Sequence, residues 1–417
     1  MTKNILILFL LIVVKVEAQT STFSTIDSLF ENGRYQLALS QLKAINPPTF
    51  LSNYKTALIY ESIDNYKQTA SYLEQALIFK EDKKASLKLA KVYQRLNKSN
   101  EAVLIYENLL AKDSMNLVLA YQLGKLYLKT KSYKKSISAF KNLIKHDSTN
   151  AYYSYQLALA YAFVKDRDRM INSFLDVYKK DTTHLKAIAH LASSYSKLNE
   201  KDSTNLFIEK GLLLDKNHIN LNKLKINNLY REKNYVETIP LLLNLDSIDT
   251  KETFSISMLG RVYYSLDSLE KSKKYFKKLY RVDRANFKAL TYLGHIAMKE
   301  KDYKTAGFNY TMATFIGKEK RDEEYFGLAT MFYETKKPKQ ALLNFEKAYK
   351  ENSMNYNALF QLAKISDAYY KDKKIAYKHY VKYMDNFQER DQDADIFIKR
   401  RISEIKKEFF MKGEKLE

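Results

Sequence analysis

Six aspartates stand 34 residues apart along this chain: Asp113, Asp147, Asp181, Asp215, Asp249 and Asp283. Leu89, Leu123, Leu157 and Leu191 keep the same interval, as do Tyr93, Tyr127, Tyr161 and Tyr195 four residues later. A period held this long dictates an array of near-identical pieces, each burying its apolar face against the next. Only 4 prolines and 9 glycines occur in 417 residues, and 46% of the chain is apolar. Such a chain lacks the turn residues of a strand-rich fold. Each piece is expected to be two helices joined by a short turn.

Unit starts fall near 19, 50, 83, 117, 151, 185, 219, 253, 287, 322 and 356. Position 8 is small at Ala57, Ala90, Gly124, Ala158, Ala192, Gly260, Gly294, Ala329 and Ala363. Position 20 is small or short in most units, from Ala38 and Ala102 to Ala306 and Ala341. Position 24 is large and apolar, as in Tyr106, Phe140, Phe174, Ile208, Leu242, Phe276, Tyr310 and Phe345. Positions 4, 7, 8 and 11 share one helical stripe, and 20, 24 and 27 form a second. Small residues at 8 and 20 let the two backbones approach, and the large ones fill the space around them. The aspartate at position 31 marks the end of each second helix. Ser, Thr and Asn just after it (Ser114, Asn116, Ser148, Asn150, Thr182, Asn286) suit N-caps of the next helix. The aspartates therefore read as punctuation and not as catalytic acids.

The Leu-small pair with an aromatic four residues on, as in Leu123, Gly124 and Tyr127, resembles the tetratricopeptide repeat family. So do the small residue near 20, the aromatic near 24 and the Asp at 31. The resemblance covers about residues 19–388 and implies an all-α solenoid of about eleven helix-turn-helix repeats. It further implies a right-handed superhelix whose inner face binds peptides. Departures are Ile26, Ile226 and Met170 at normally small positions, and the missing proline at position 32. Pro240 falls inside a second helix, where a delayed start or a kink is expected, whereas Pro338 sits at a helix start. A last helix from about Asp393 to Met411, with Ile398, Ile402, Ile405 and Phe409 on one face, reads as a terminal cap within residues 389–417. Its Lys399, Arg400, Arg401, Lys406 and Lys407 also suit a helix lying on a membrane surface.

Residues 1–18 read as an export signal: Lys3, an apolar run from Ile5 to Val14, then Val16-Glu17-Ala18 before the first unit. A spanning helix needs about 20 apolar residues, and Lys15 ends the run well short of that. The chain has no cysteine, which excludes disulfides and thiolate metal sites. Similarity to exported repeat proteins of Gram-negative bacteria implies a periplasmic or outer-membrane-associated place, where nucleic acid is not an expected partner.

Sites of chemistry are scarce. The six histidines form no metal spacing. Asp391, Asp393 and Asp395 open like a calcium loop, but Ile396 and Ile402 stand where Gly and Glu are required. Ser-x-x-Lys matches lack partner motifs, and no Gly-rich phosphate loop or nucleophile elbow occurs. A non-catalytic binding scaffold without cofactor is expected.

Charge gives the sharper clue. Lys and Arg number 70 against 48 Asp and Glu, a net +22. In the family, first-helix positions 2, 5, 6, 9, 12 and 13 tend to face the inner groove. Across the third to ninth units these 42 positions hold 13 Lys or Arg and no acid. About five acids would be expected by composition. The named cations are Lys84, Lys88, Lys91, Arg95, Lys125, Lys129, Lys223, Arg231, Arg261 and Lys299. Tyr121, Tyr152, Tyr155, Tyr230, Tyr264 and Tyr292 lie among them, while Asp27, Glu31 and Glu61 interrupt the trend in the first two units. Lys223 and Asn227 match part of a clamp that some family members use for terminal carboxylates, but Met258 replaces its second Asn. The expected ligand is an acidic or extended peptide segment of a protein partner. The alternatives are an anionic polysaccharide or lipid head group, any membrane contact being peripheral, or a solvated lysine-rich face.

Overall fold

The computed structural model describes residues 22–317 and 320–416, and its regular structure is helical throughout. The expected export segment at 1–18 and the first unit's start at 19 lie outside the described residues. The chain divides after Lys216 into two compact units. The first holds α1 (residues 22–31), α2 (Tyr35–Ala44), α3 (Phe50–Ser62), α4 (Tyr66–Phe79), α5 (Lys83–Arg95) and α6 (Ser99–Lys112). It continues with α7 (Leu117–Lys129), α8 (Tyr133–His146), α9 (Ala151–Phe163), α10 (Arg167–Lys180), α11 (Leu185–Leu198) and α12 (Lys201–Leu214). The second unit holds α13 (Ile219–Arg231), α14 (Tyr235–Ile248), α15 (Thr253–Ser265), α16 (Leu269–Val282), α17 (Phe287–Lys299) and α18 (Tyr303–Ile316). It ends with α19 (Asp322–Glu334), α20 (Pro338–Glu351), α21 (Tyr356–Tyr369), α22 (Lys374–Phe387) and α23 (Gln392–Lys412). Ten first helices begin at the residues that the 34-residue register marks. Among the described residues no helix is long and apolar enough to cross a membrane.

Most hairpins close on the small residue at position 8. Phe140 packs on Gly124, Phe276 on Gly260, and Tyr310 on both Gly294 and Gly327. A Cβ added to Gly294 would stand 2.6 Å from the Tyr310 ring, and one on Gly327 2.5 Å from it. Ala90, Ala158, Ala192 and Ala329 are fully buried at the same place, as are Phe140 and Phe174 opposite. Burying such a ring contributes about 2–3 kcal/mol. Serine at position 20 adds a bond: the Ser136 hydroxyl donates to the Gly124 carbonyl (2.9 Å), and Ser272 to Gly260 (2.8 Å).

The periodic aspartates sit just past their second helices as C-caps. Asp147, Asp181, Asp249 and Asp283 each accept a backbone N–H two residues on, which forms the turn. Asn116, Asn150, Asn286 and Asn355 then cap the next helix. His184 and His218 do the same through Nδ1, a role the sequence reading did not assign them. Between the helices of a pair the chain turns through a left-handed residue. Asp64, Asn97, Lys131, Lys165, Asn199, Lys233, Asp267, Lys301 and Lys336 all have φ between 54° and 61°.

Pro240 does not delay its helix. α14 begins at Tyr235, in step with its equivalents, and runs through the proline. Buried Thr238, Leu242 and Leu245 hold that helix in register although Pro240 offers no N–H to its first turns. Pro338 is the first residue of α20, as expected. α23 covers the end of the second unit with Ile398, Ile405 and Phe409 buried. Arg401, expected among its surface cations, instead bonds buried Asp367 through Nε (2.5 Å) and Nη2 (3.0 Å). The Asp391 side chain caps α23, and Asp395 accepts the Glu389 N–H, so the calcium-like run is structural.

Candidate binding face

In both units, side chains reach from one first helix to the next and so define a continuous first-helix face. In the first unit Lys55 of α3 pairs with Asp27 of α1, and Lys88 of α5 with Glu61 of α3 (2.6 Å). The Tyr121 ring of α7 lies 5.7 Å from Tyr153 of α9. Of the interrupting acids of the first two units, Asp27 and Glu61 are thus paired by Lys55 and Lys88.

Beyond Lys55 and Lys88 the lysines of this face stay open. Lys84, Lys91, Lys125 and Lys129 are exposed and have no acidic partner among the described residues. Lys125 rests 5.4 Å from the centre of the Tyr121 ring, and Arg95 lies over Tyr66 and donates to its hydroxyl. Two rows run across the repeats. Position 13 carries Arg95, Lys129, Phe163 and Lys197, and position 2 carries Lys84, Val118, Tyr152 and Lys186. All eight are exposed, with Val118 at 70% and Tyr152 at 64%. Lys186 and Lys197 belong here although the sequence reading did not single them out; their register positions were the signal. Tyr155 is half-buried against His184 (4.8 Å) and Phe174. His190 stacks on Phe174 at 4.6 Å.

The first-helix face of the second unit uses the same residue types and closes them on one another. Lys223 bonds Glu252 (3.0 Å), Lys288 bonds Glu323 (2.8 Å), and Lys299 bonds Asp267 (2.7 Å). His295 joins the Tyr310 hydroxyl (2.7 Å) to Glu323 (3.0 Å). The His295 bond, with Lys288 beside it, lowers the Glu323 pKa to about 2. Thr291 donates to fully buried Glu324 (2.5 Å). Arg261 lies over Tyr292, Tyr264 packs on Tyr292 (5.5 Å), and Lys299 covers Tyr264 (4.6 Å). Tyr230 packs on Tyr235, and Arg231 is exposed. Lys223 and Lys299, both candidate groove cations, are thus ion-paired. Their acids come from a helix N-cap and a left-handed turn, positions outside the six counted along the first helix.

Cavities of about 450 and 560 Å³ occur in the second unit, the first flanked by Gly307, Phe308 and Met331, the second by Leu342, Leu343 and Ile375. These residues occupy register positions separate from the first-helix face. Among the described residues no group of His, Asp and Glu is placed to hold a metal ion.

A family model described as tetratricopeptide repeat matches residues 119–150 and 255–286, one repeat in each unit. No curated protein matches the sequence. Among solved structures, the chain is similar to yeast Tom70 at 14% identity, over 93% of this chain and 96% of that one, with a TM-score of 0.43. It is similar to Cut9 in the APC/C hetero-tetramer Cut9-Hcn1 at 13% identity, over 91% and 83%, with a TM-score of 0.46. It is also similar to Pseudomonas aeruginosa PilF at 17% identity, over 52% and 98%, with a TM-score of 0.44. None of the three bears on what this chain binds.

Proposed function

The chain is a tetratricopeptide-repeat protein, a fold of protein–protein interaction scaffolds, and from that premise we propose that its first unit binds an acidic, extended segment of a partner protein. The observation that carries this reading is the set of exposed lysines on that unit's first-helix face with no acid beside them among the described residues: Lys84, Lys91, Lys125, Lys129, Lys186 and Lys197. Unpaired cations attract an anionic ligand at long range, and the exposed faces of Tyr152 and Phe163 offer contact area once it docks. Packed helices stand about 8–10 Å apart, and an extended chain rises about 3.3 Å per residue. A carboxylate at every third residue of an extended segment recurs about every 10 Å, close to the spacing of packed helices. We place this scaffold in the bacterial envelope, on the strength of the N-terminal export pattern. The role is non-catalytic, and the comparisons indicate no enzymatic family.

The test is fluorescence anisotropy with a labelled peptide bearing Glu at every third residue, against the same peptide with Gln. Binding of the Glu peptide that weakens with salt, and little binding of the Gln peptide, is the expected result. Equal binding of both sinks the reading. Salt-sensitive binding of a purified acidic polysaccharide, with neither peptide bound, would favour the polymer alternative.

A further inference from the structure

α23 buries one face and presents another that a terminal cap does not require. Ile398, Ile405 and Phe409 pack inward, and Arg401 is anchored on Asp367, so the rotation of the helix about its axis is fixed. The opposite stripe carries Ile396, Lys399, Arg400, Ser403, Lys407 and Phe410, with Lys406, Met411 and two acids, Asp393 and Glu404, at its edges. It extends about 21 Å from Ile396 to Phe410. Lys399, Lys406 and Lys407 have no acidic partner among the described residues, and Arg400 approaches Glu404 only at 3.7 Å. At the ends of this cationic stripe Ile396 is 69% exposed, Phe410 86% and Met411 76%. A helix that only sealed the core would carry polar residues there.

We propose that this outer stripe of α23 docks on an anionic lipid surface. The pattern matches a head-group layer: four cations meet phosphates, while Phe410 and Met411 at one end and Ile396 at the other reach the acyl boundary. The lysine stems lie along the interface with their ammonium groups in the polar layer. The contact is peripheral and uses a helix that is already folded, so docking needs no rearrangement of the cap.

The experiment is co-sedimentation of the full chain with vesicles of phosphatidylcholine containing 30% phosphatidylglycerol, and with pure phosphatidylcholine vesicles. The unaltered chain is expected to sediment with the anionic vesicles and to be released by salt. Lys399→Glu with Lys407→Glu should weaken binding at least about tenfold. Phe410→Ser with Met411→Ser should weaken it less and leave the melting temperature unchanged, because both side chains face water. The apolar run at residues 5–14 is common to every variant, so differences between the unaltered chain and the α23 variants do not come from it. No sedimentation of the unaltered chain, or undiminished binding by the Lys399→Glu/Lys407→Glu chain, overturns the proposal. So does loss of vesicle binding on Lys91→Gln with Lys125→Gln, which would move the lipid site to the first unit. A dimer that Phe410→Ser/Met411→Ser dissociates, with no vesicle binding, would assign the stripe to self-association.

Discussion

The first-helix faces of the two units draw on the same residue types, yet most of the first unit's cations beyond α3 are open while Lys223, Lys288 and Lys299 of the second are paired. Between α15 and α19, Lys288, Lys299 and His295 are bonded to Glu323 and Asp267, and the tyrosines pack on each other. Between α5 and α11, Lys84, Lys91, Lys125, Lys129, Lys186 and Lys197 face solvent with no acid to answer them among the described residues. Counting cations along the register makes these faces look alike. What separates them is whether an acid from a turn or a neighbouring helix comes within reach. A closed network stabilises its own unit, and an open one leaves charge for a ligand.

The comparison can be broken hardest at Tyr310. Its ring rests on Gly294 and Gly327 and its hydroxyl holds His295. Gly294→Ala should displace the ring, lower stability by about 2–3 kcal/mol in a denaturant titration, and release the His295–Glu323 pair. Peptide binding by the first unit should be unaffected. A smaller effect follows from pH. The Glu323 pKa is lowered to about 2 by its His295 and Lys288 partners, against an ordinary 4.5. The stability it contributes is therefore fully present above about pH 4.5 and is lost as pH falls toward about 2. With the carboxylate half-exposed, roughly 1 kcal/mol is expected. Glu323→Gln should flatten the fall in melting temperature across that window. The smallest effect is at Lys131, a left-handed turn residue with φ of 60° that makes no part of either face. Lys131→Gly should relieve the turn and raise stability by about 0.5 kcal/mol, read as a higher denaturation midpoint, with peptide affinity unchanged.

Much of the fold was legible because repetition exposes register. The 34-residue spacing placed the helix starts, and the aspartates and asparagines announced the caps. Other features escaped because they depend on three-dimensional reach. The histidine caps look unlike the asparagines they replace. The left-handed turn is carried by Lys, Asn or Asp in place of the glycine that would have signalled it. Glu252 and Glu323 lie 29 and 35 residues from the lysines they bond, and only the stacking of helices brings them together. The register told which face carries the cations, and not which of them an acid pairs.

The most direct measurement compares two doubly neutralised chains in binding the peptide with Glu at every third residue. Lys91→Gln with Lys125→Gln removes open cations, and Lys223→Gln with Lys299→Gln removes paired ones. The first should weaken binding about tenfold and the second less than about twofold. Equal losses in both chains, or a larger loss in the second, would contradict the claim that unpaired charge on the first unit carries the partner.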